Sequence, residues 1–384
     1  MIPFLDLVKE SGSFQAMITM LEPLMTQPQY SKYFTPVFNK TKDWKGIEKS
    51  IGRTPIASLV DRHSGKPIIN TSAPVQTFGS LPSWGDLLPI TSDELVELRQ
   101  LEEYILNNVT DLNGGQISSA VVEQLTDQRT QLLVKKFQPL ARMPLATMDK
   151  LAFEEWSNGT ATIDKTKDAS KMPFAIDFQV KKYHVSTVWS DATNATALKD
   201  LSQFVYKVWK DLHIRIDTLA LNPDEIRKIL LQKSTQDSIT TYISTGSKRI
   251  KTNDAPSLDD VNIKLEGQYK IPALTEIDAV VDIRGTDGNI DVPSESYNAF
   301  LDGRVAATIG TNLGDYMYTL SPEQLLPDDD YTYAVSEGNV LISALSKKGE
   351  LSLESDATSL PVLTCRKSMA ILVTDDTTTG SALY

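Results

Sequence analysis

The stretch from Ile90 to Gly159 constrains the fold of this chain more than any other. Ile90-Thr91-Ser92-Asp93-Glu94-Leu95 has the spacing of a capping box with a hydrophobic staple. Thr91 can accept from the backbone N–H of Glu94, Glu94 can reach back, and Ile90 can pack on Leu95. A helix therefore begins here. Leu95, Leu98, Leu101 and Ile105 then recur every three or four residues, with Glu97, Arg99, Glu102 and Glu103 on other faces. After Asn113-Gly114-Gly115 the period resumes in Ile117, Val121, Leu125 and Leu132, and after Pro144 in Leu145, Met148, Ala152 and Trp156. Asn158-Gly159 ends it, glycine being suited to a left-handed cap. At ~1.5 Å per residue, such a segment predicts a rod tens of Å long with a narrow apolar stripe.

At 384 residues the chain is long enough for two to three domains. With 41% hydrophobic and 23% charged residues it can build a packed core. A net charge of −12 argues against tight non-specific nucleic-acid binding, which needs lysine and arginine against phosphate. The single cysteine, Cys365, excludes an intramolecular disulfide and a thiolate metal cage, and reads as a small apolar residue in a strand. Met1-Ile2-Pro3-Phe4-Leu5-Asp6 lacks the basic start of a signal peptide, and no apolar run approaches the ~18 residues of a membrane span. Synthesis inside the cell is the expectation.

Residues 1–48 read as an arm. Phe14, Met17, Ile18, Leu21 and Leu24 fit a short amphipathic helix curtailed by Pro23 and Pro28, and Tyr30 to Phe38 is aromatic and extended. The arm has too little of its own to bury, so it must lie on its own domain or on a neighbouring subunit. Between Gly52 and Pro89, glycine and proline together number nine, about twice the chain average. Runs Ile56–Val60 and Pro67–Thr71 flank a hairpin tip at Asp61 to Lys66, and an irregular run follows from Phe78 to Gly85. This hairpin is expected to project.

Beyond the spine, Thr160–Asp164 and Phe174–Val188 read as strands. Ala197–Leu212 reads as a helix with Leu198, Leu201, Phe204, Val205, Val208, Trp209 and Leu212 on one face. Ile214 to Leu219 is a short strand, and Asn222-Pro223-Asp224-Glu225 starts another helix, with Glu225 closing the box. Residues 232–262 read as a polar stretch holding the basic cluster Ser247-Lys248-Arg249-Ile250-Lys251. Ile277–Ile283 turns at Gly285 to Asn289 and returns through Ile290 to Pro293. Leu360–Leu363 and Met369–Val373 are strand-like.

Signatures of chemistry are missing. His63, His184 and His213 are scattered, no Gly-x-Ser-x-Gly elbow marks a nucleophile, and no glycine loop suits a phosphate or dinucleotide. Glu154-Glu155 are helix neighbours that point apart, a poor acid/base pair. Asp328-Asp329-Asp330 reads as a solvated turn. No catalytic residue, cofactor or metal is expected.

Taken in order, these elements resemble the major capsid proteins of tailed bacteriophages, the Hong Kong 97-like α+β fold, and most closely the lambda-type capsid protein E branch. Asp127-Gln128-Arg129 and Met148 to Thr160 resemble the end of that branch's spine helix, Leu219–Ile229 its axial-domain strand and helix, and Phe300–Gly314 and Ser359–Val373 its late strands. The resemblance implies an N-terminal arm (1–48), an extended hairpin or E-loop (49–90), a peripheral domain with the spine helix (91–190), an α/β axial domain (191–355) and C-terminal strands and tail (356–384). It implies a structural subunit without catalysis, forming pentamers and hexamers of an icosahedral virion shell around double-stranded DNA that touches it only weakly. Portal, scaffold and decoration proteins are the further partners, assembly takes place in the host bacterial cytoplasm, and no membrane is involved. The family's lysine-asparagine cross-link maps onto no residue here. Phe34, Phe38, Arg62, His63, Lys66, Phe78 and Trp84 are the expected intersubunit contacts. An encapsulin-type compartment, an α/β hydrolase-like enzyme using His184 or His213, and a tail or baseplate component are the alternatives.

Overall fold

The structure, a computed structural model, describes residues 9, 11–24, 27–47, 76–107, 119–163, 173–246, 256–283, 295–347, 350–377 and 381–383. Helix α1 (Ser11–Leu21) and strands β1 (Phe34–Phe38), β2 (Asp43–Ile47), β3 (Gln76–Ser80) and β4 (Ser83–Ile90) precede the spine. The spine is two helices, α2 (Ser92–Asn107) and α3 (Ser119–Asn158). The capping box at Thr91 forms in full: the backbone N–H of Thr91 donates to Glu94 Oε2 at 3.0 Å and that of Glu94 to Thr91 Oγ1 at 3.4 Å.

A single rod from 91 to 157 is not what forms. Glu102 pairs with Arg129 at 2.8 Å and Glu94 with Lys136, so α2 runs antiparallel to the first half of α3. The Asn113-Gly114-Gly115 break lies outside the described residues, between the two helices. The expected interruption at Pro144 does not occur either, since α3 continues through both Pro139 and Pro144. A helix-interior proline costs roughly 3 kcal/mol. Here the loss is offset by burial on both sides of each proline, with Phe137, Leu140, Ala141, Leu145 and Met148 all in the core. The 40 residues of α3 give a rod of about 60 Å. It ends as expected, with Gly159 at φ +69° donating to Glu155 O at 2.7 Å.

The rest of the chain is β5 (Thr160–Ile163), β6 (Phe174–Asp177), β7 (Lys181–His184), α4 (Ala197–Leu212), β8 (Thr218–Leu221), α5 (Pro223–Leu231), α6 (Lys233–Gly246), α7 (Leu258–Lys264), β9 (Leu274–Glu276), β10 (Val280–Ile283) and β11 (Glu295–Asn298). The last third is almost all strand: β12 (Arg304–Thr308), β13 (Gly314–Thr319), β14 (Tyr331–Ser336), β15 (Val340–Lys347), β16 (Glu350–Leu363), β17 (Ala370–Val373) and β18 (Ser381–Ala382).

Two six-stranded sheets organise these elements. The first runs β1-β13-β16-β15-β14, with β4 also paired to the long β16. The second runs β18-β7-β17-β12-β8-β9 and mixes parallel and antiparallel pairs. The C-terminal half of α3 supplies Met148, Leu151, Phe153 and Trp156 to a core shared with residues of both sheets, among them Leu360, Val362, Ala306 and Ile371. Helices α4, α5, α6 and α7 add Leu201, Phe204, Ile226, Ile239 and Val261 to a second core around β8, β12 and β17.

Several local expectations shift. The run from Phe78 to Gly85 is not irregular: it belongs to β3 and β4. Ile214 and Ile216 are buried but precede the strand, which begins at Thr218, because His213 takes a left-handed φ of 61° and turns the chain first. Trp209 lies off the buried face of α4, 53% exposed. The polar run after Gln232 contains helices α6 and α7, held by buried Gln232, Thr235 and Ile239. Strand β10 pairs with Glu295–Asn298, Ile283 opposite Glu295, while the expected return through Ile290 to Pro293 lies outside the described residues. Cys365 is buried just beyond β16.

Candidate subunit interfaces

The arm finds its burial within its own chain. Phe14, Met17, Ile18 and Leu21 are buried against Leu133, Phe137, Ile342 and Leu353, with the Phe14 and Phe137 rings 5.9 Å apart. The Gln15 side chain covers the backbone of edge strand β14, accepting from Val335 N–H at 2.7 Å and donating to Val335 O at 2.8 Å. An edge strand left open would template pairing with another chain. Next along the arm, Tyr30 N–H donates to Asp149 on the spine at 2.6 Å. Burial pushes the Asp149 carboxyl up to about 6, against the opposing effect of the backbone donors from Tyr30 and Gln29 and the nearby Lys32 charge.

The seven expected contact residues therefore separate. Phe34 is only 3% exposed, packed on the spine core, so its apolar surface makes no demand on a neighbour. Trp84 is half-buried on its own sheet, its indole N–H donating to Ser359 O at 2.8 Å and its ring edge-on to Phe174 at 5.8 Å. Phe38 remains 48% exposed beside Tyr318. Phe78 stands in β3 opposite Lys45. Arg62, His63 and Lys66 lie outside the described residues, as do both flanking runs Ile56–Val60 and Pro67–Thr71. What the structure does show is the root of that segment. Strands β2 and β3 pair antiparallel from Asp43 opposite Ser80 to Ile47 opposite Gln76, so the two residues that flank 48–75 stand side by side.

Other apolar side chains are presented outward. On the connection from β13 to β14, Leu325 is 64% and Leu326 84% exposed, next to exposed Leu320. Tyr206 and Trp209 form an exposed ring pair 6.0 Å apart on α4, and Leu87, Val96, Leu231 and Ile263 are exposed elsewhere. Residue-type periodicity could not have found the Leu325–Leu326 pair, since a four-residue helix carries no stripe.

Buried and half-buried polar groups tie the end of the spine to the strands around it. Asn158 Oδ1 accepts from Lys182 Nζ at 2.9 Å and Arg304 Nε at 3.4 Å, and Arg304 also pairs with Asp375. Glu154 accepts from Thr162 N–H at 3.1 Å and Tyr297 O–H at 2.9 Å and pairs with Lys150 at 3.1 Å. Asn222 caps α5 as expected, accepting from Glu225 N–H at 2.8 Å. Glu225 does not close that box. Fully buried, it accepts instead from Gly303 N–H at 3.0 Å and Thr374 O–H at 2.7 Å and pairs with Lys228. Glu155 is also fully buried, and among the described residues neither of its oxygens has a hydrogen-bond partner. Burial first, and the Glu154 charge second, push its carboxyl well above the usual range.

Among the described residues the histidines and the aspartate run stand apart from one another. His184 sits on β7 with Nδ1 unpartnered among the described residues, while His213 caps the end of α4. Asp328 forms a tight turn, accepting from Asp330 N–H at 3.0 Å. Among the described residues no group of three or more His, Cys, Asp or Glu is placed to hold a metal, and no helix is long and apolar enough to cross a membrane.

A long helical spine, a separate antiparallel strand pair and two sheets sharing a core along the spine define an α+β capsid-type fold. Comparison with solved structures agrees. A prophage capsid protein from E. coli CFT073 superposes with a TM-score of 0.52 at 9% identity, over 95% of this chain and 98% of that one. A phage-related protein from Bordetella bronchiseptica RB50 gives 0.47 at 9% identity, over 94% and 96%, and the satellite phage P4 procapsid 0.38 at 10% identity, over 94% and 99%. No protein-family profile matches the chain, and no curated protein matches its sequence. The fold is that of a phage capsid protein, as the sequence resemblance implied.

Proposed function

We propose that this chain is a major capsid protein, a non-catalytic subunit that assembles with copies of itself into the closed icosahedral head of a phage-like particle. The observation that carries the reading is the capsid fold extending over 95% of the chain. It is supported by apolar groups that stay exposed on different elements, Phe38 on β1, Leu326 between β13 and β14, and Tyr206 and Trp209 on α4. A ring or shell subunit needs more than one such face, because head-to-tail contacts use different patches on the two partners. Individually small contacts then sum to high avidity in a closed shell. Pentamers and hexamers would be the intermediate assemblies, built in the host cytoplasm with portal, scaffold and decoration proteins as further partners. The net charge of −12 suits a wall that packaged DNA touches only weakly. Electron microscopy of the purified protein across salt and pH is the test. Closed particles of uniform diameter are expected. A monomer that persists at high concentration in every condition refutes the reading.

A further inference from the structure

The broadest exposed aromatic surface among the described residues is the Tyr206–Trp209 pair of α4, 58% and 53% exposed with ring centroids 6.0 Å apart. These rings cannot turn inward, because Leu201, Phe204 and Val208 already fill the other face of the helix in the second core. Lys210 stands exposed one turn beyond Tyr206, and Arg215 is exposed just past the helix end. From Ala197 to Arg215 the chain carries four Lys or Arg and two Asp. Both aspartates are engaged at home: Asp200 accepts from Trp189 Nε1 and Asp211 from Tyr183 Oη, each at 3.1 Å. On a chain of net charge −12, this face is aromatic and basic.

Its complement lies on the same chain. The connection between β13 and β14 presents Leu325 and Leu326, 64% and 84% exposed, and residues 320–330 contain Glu323, Asp328, Asp329 and Asp330 with no lysine or arginine. This loop is firmly built. Ser321 N–H donates to Gln324 Oε1 at 3.1 Å, and Asp328 N–H to Tyr333 Oη at 3.0 Å. Two leucines held outward on an ordered acidic loop gain nothing within the subunit. The two features ride on different sheets, the loop on the first and α4 on the second.

We infer that the Tyr206–Trp209 face of α4 is the docking surface for the Leu325–Leu326 loop of a second copy of this chain. The inference rests on the shell-subunit reading and specifies which surfaces of two subunits meet. Leucine against aromatic ring holds the pair together, while the opposite charges set register and make the contact sensitive to salt. Two leucines and two rings bury a few hundred Å², below the roughly 1,000 Å² of a stable isolated pair, so the contact is weak alone and gains from repetition. Because the two patches differ, it joins copies head to tail.

The test uses full-length chains carrying one new cysteine each, mixed and mildly oxidised: Leu325→Cys in an isotope-labelled copy, and Gln203→Cys, one turn before Tyr206, in an unlabelled one. Native Cys365 is buried, and wild type taken through the same oxidation gives the background. A disulfide joining labelled to unlabelled chains is the expected product, in particles or, without them, in concentrated solution. Its yield should fall at least fivefold when Lys210→Glu and Arg215→Glu are added to the Gln203→Cys copy. It should recover when the loop copy carries Asp329→Lys and Asp330→Lys, a rescue that misfolding could not produce. An undiminished yield after the first charge reversal overturns the proposal. Particles that form with no such disulfide overturn the docking site and leave the shell reading standing. A disulfide formed within one chain, in the double-cysteine protein diluted into wild type, overturns it as well. A DNA duplex that binds wild type, fails to bind the Lys210→Glu, Arg215→Glu protein and suppresses the cross-link would make this face a nucleic-acid surface and overturn it too. Should no particles form and no cross-link appear, both readings fall.

Discussion

Glu155→Gln tests the least comfortable feature of the spine. In the unfolded chain this carboxyl titrates near 4.5, whereas burial and then the Glu154 charge push it well above that in the fold. Folding therefore takes up protons in the window above pH 4.5. The sign follows from linkage: the folded state binds more protons, so stability is highest below pH 4.5 and declines as pH rises toward the folded pKa. For one proton the slope is at most ~1.36 kcal/mol per pH unit. Glutamine keeps the shape and removes the titration. Any pH-independent cost of its amide cancels when the two pH values are compared. Urea unfolding of both proteins, followed by tryptophan fluorescence, should therefore show the variant's stability relative to wild type rising from about pH 5 to about pH 7, by no more than ~1.36 kcal/mol per pH unit. A difference that stays flat across this window would mean that the carboxylate is ionised inside the fold, and the burial argument would fail.

Two further perturbations address the arm. Asp149→Asn retains an oxygen for Tyr30 N–H but cannot ionise. Since the native carboxyl titrates near 6 rather than 3.8, wild type should lose on the order of 3 kcal/mol between pH 4 and pH 7 that the variant keeps, measured by the same denaturation. Phe14→Ala removes a ring with no exposed surface and should cost about 3 to 5 kcal/mol, or release the arm to limited proteolysis while the second sheet stays protected. An unchanged midpoint and unchanged proteolysis would show that the arm is not docked on its own body.

What could be read from sequence was whatever depends on neighbours along the chain. The Thr91 box, the Asn222 cap and the Gly159 stop each follow from a few residues, and each forms. What could not be read depends on partners distant in sequence. Pro144 signals a break locally, yet Leu145 and Met148 gain enough in the core to keep the helix continuous. Glu225 has the spacing of a box-closing residue, but Gly303 and Thr374, brought in by β12 and β17, take its oxygens. The folding-back of α2 on α3 rests on Glu102 with Arg129 and Glu94 with Lys136, pairs that no periodicity predicts. The candidate contacts suffered from the same limit. Aromatic residues in the arm looked unpartnered because their partners, Tyr316 for Tyr30 and the spine ring Trp156 for Tyr33, lie more than a hundred residues away.

This difference changes which parts of the subunit are available to a neighbour. An arm that buries Phe14, Ile18 and Leu21 at home, and whose Gln15 closes the β14 edge, stabilises one subunit and blocks unwanted strand pairing. On the proposed shell-subunit reading, self-association is then driven from elsewhere, by groups that remain exposed after folding is complete. Those groups sit on rigid supports: the Leu325 loop on the sheet through Glu323 and Asp356, and the Tyr206–Trp209 pair on a helix anchored by buried Leu201, Phe204 and Val208. Rigid presentation keeps the ordering entropy of association small, so modest patches suffice when many are made at once. Polar locks between spine and second sheet, at Asn158 with Lys182 and Arg304, serve the same end by fixing the angle between the two exposed faces. A closed shell requires that angle to repeat from copy to copy, so loosening this junction should broaden the range of particle sizes before it weakens the contacts themselves.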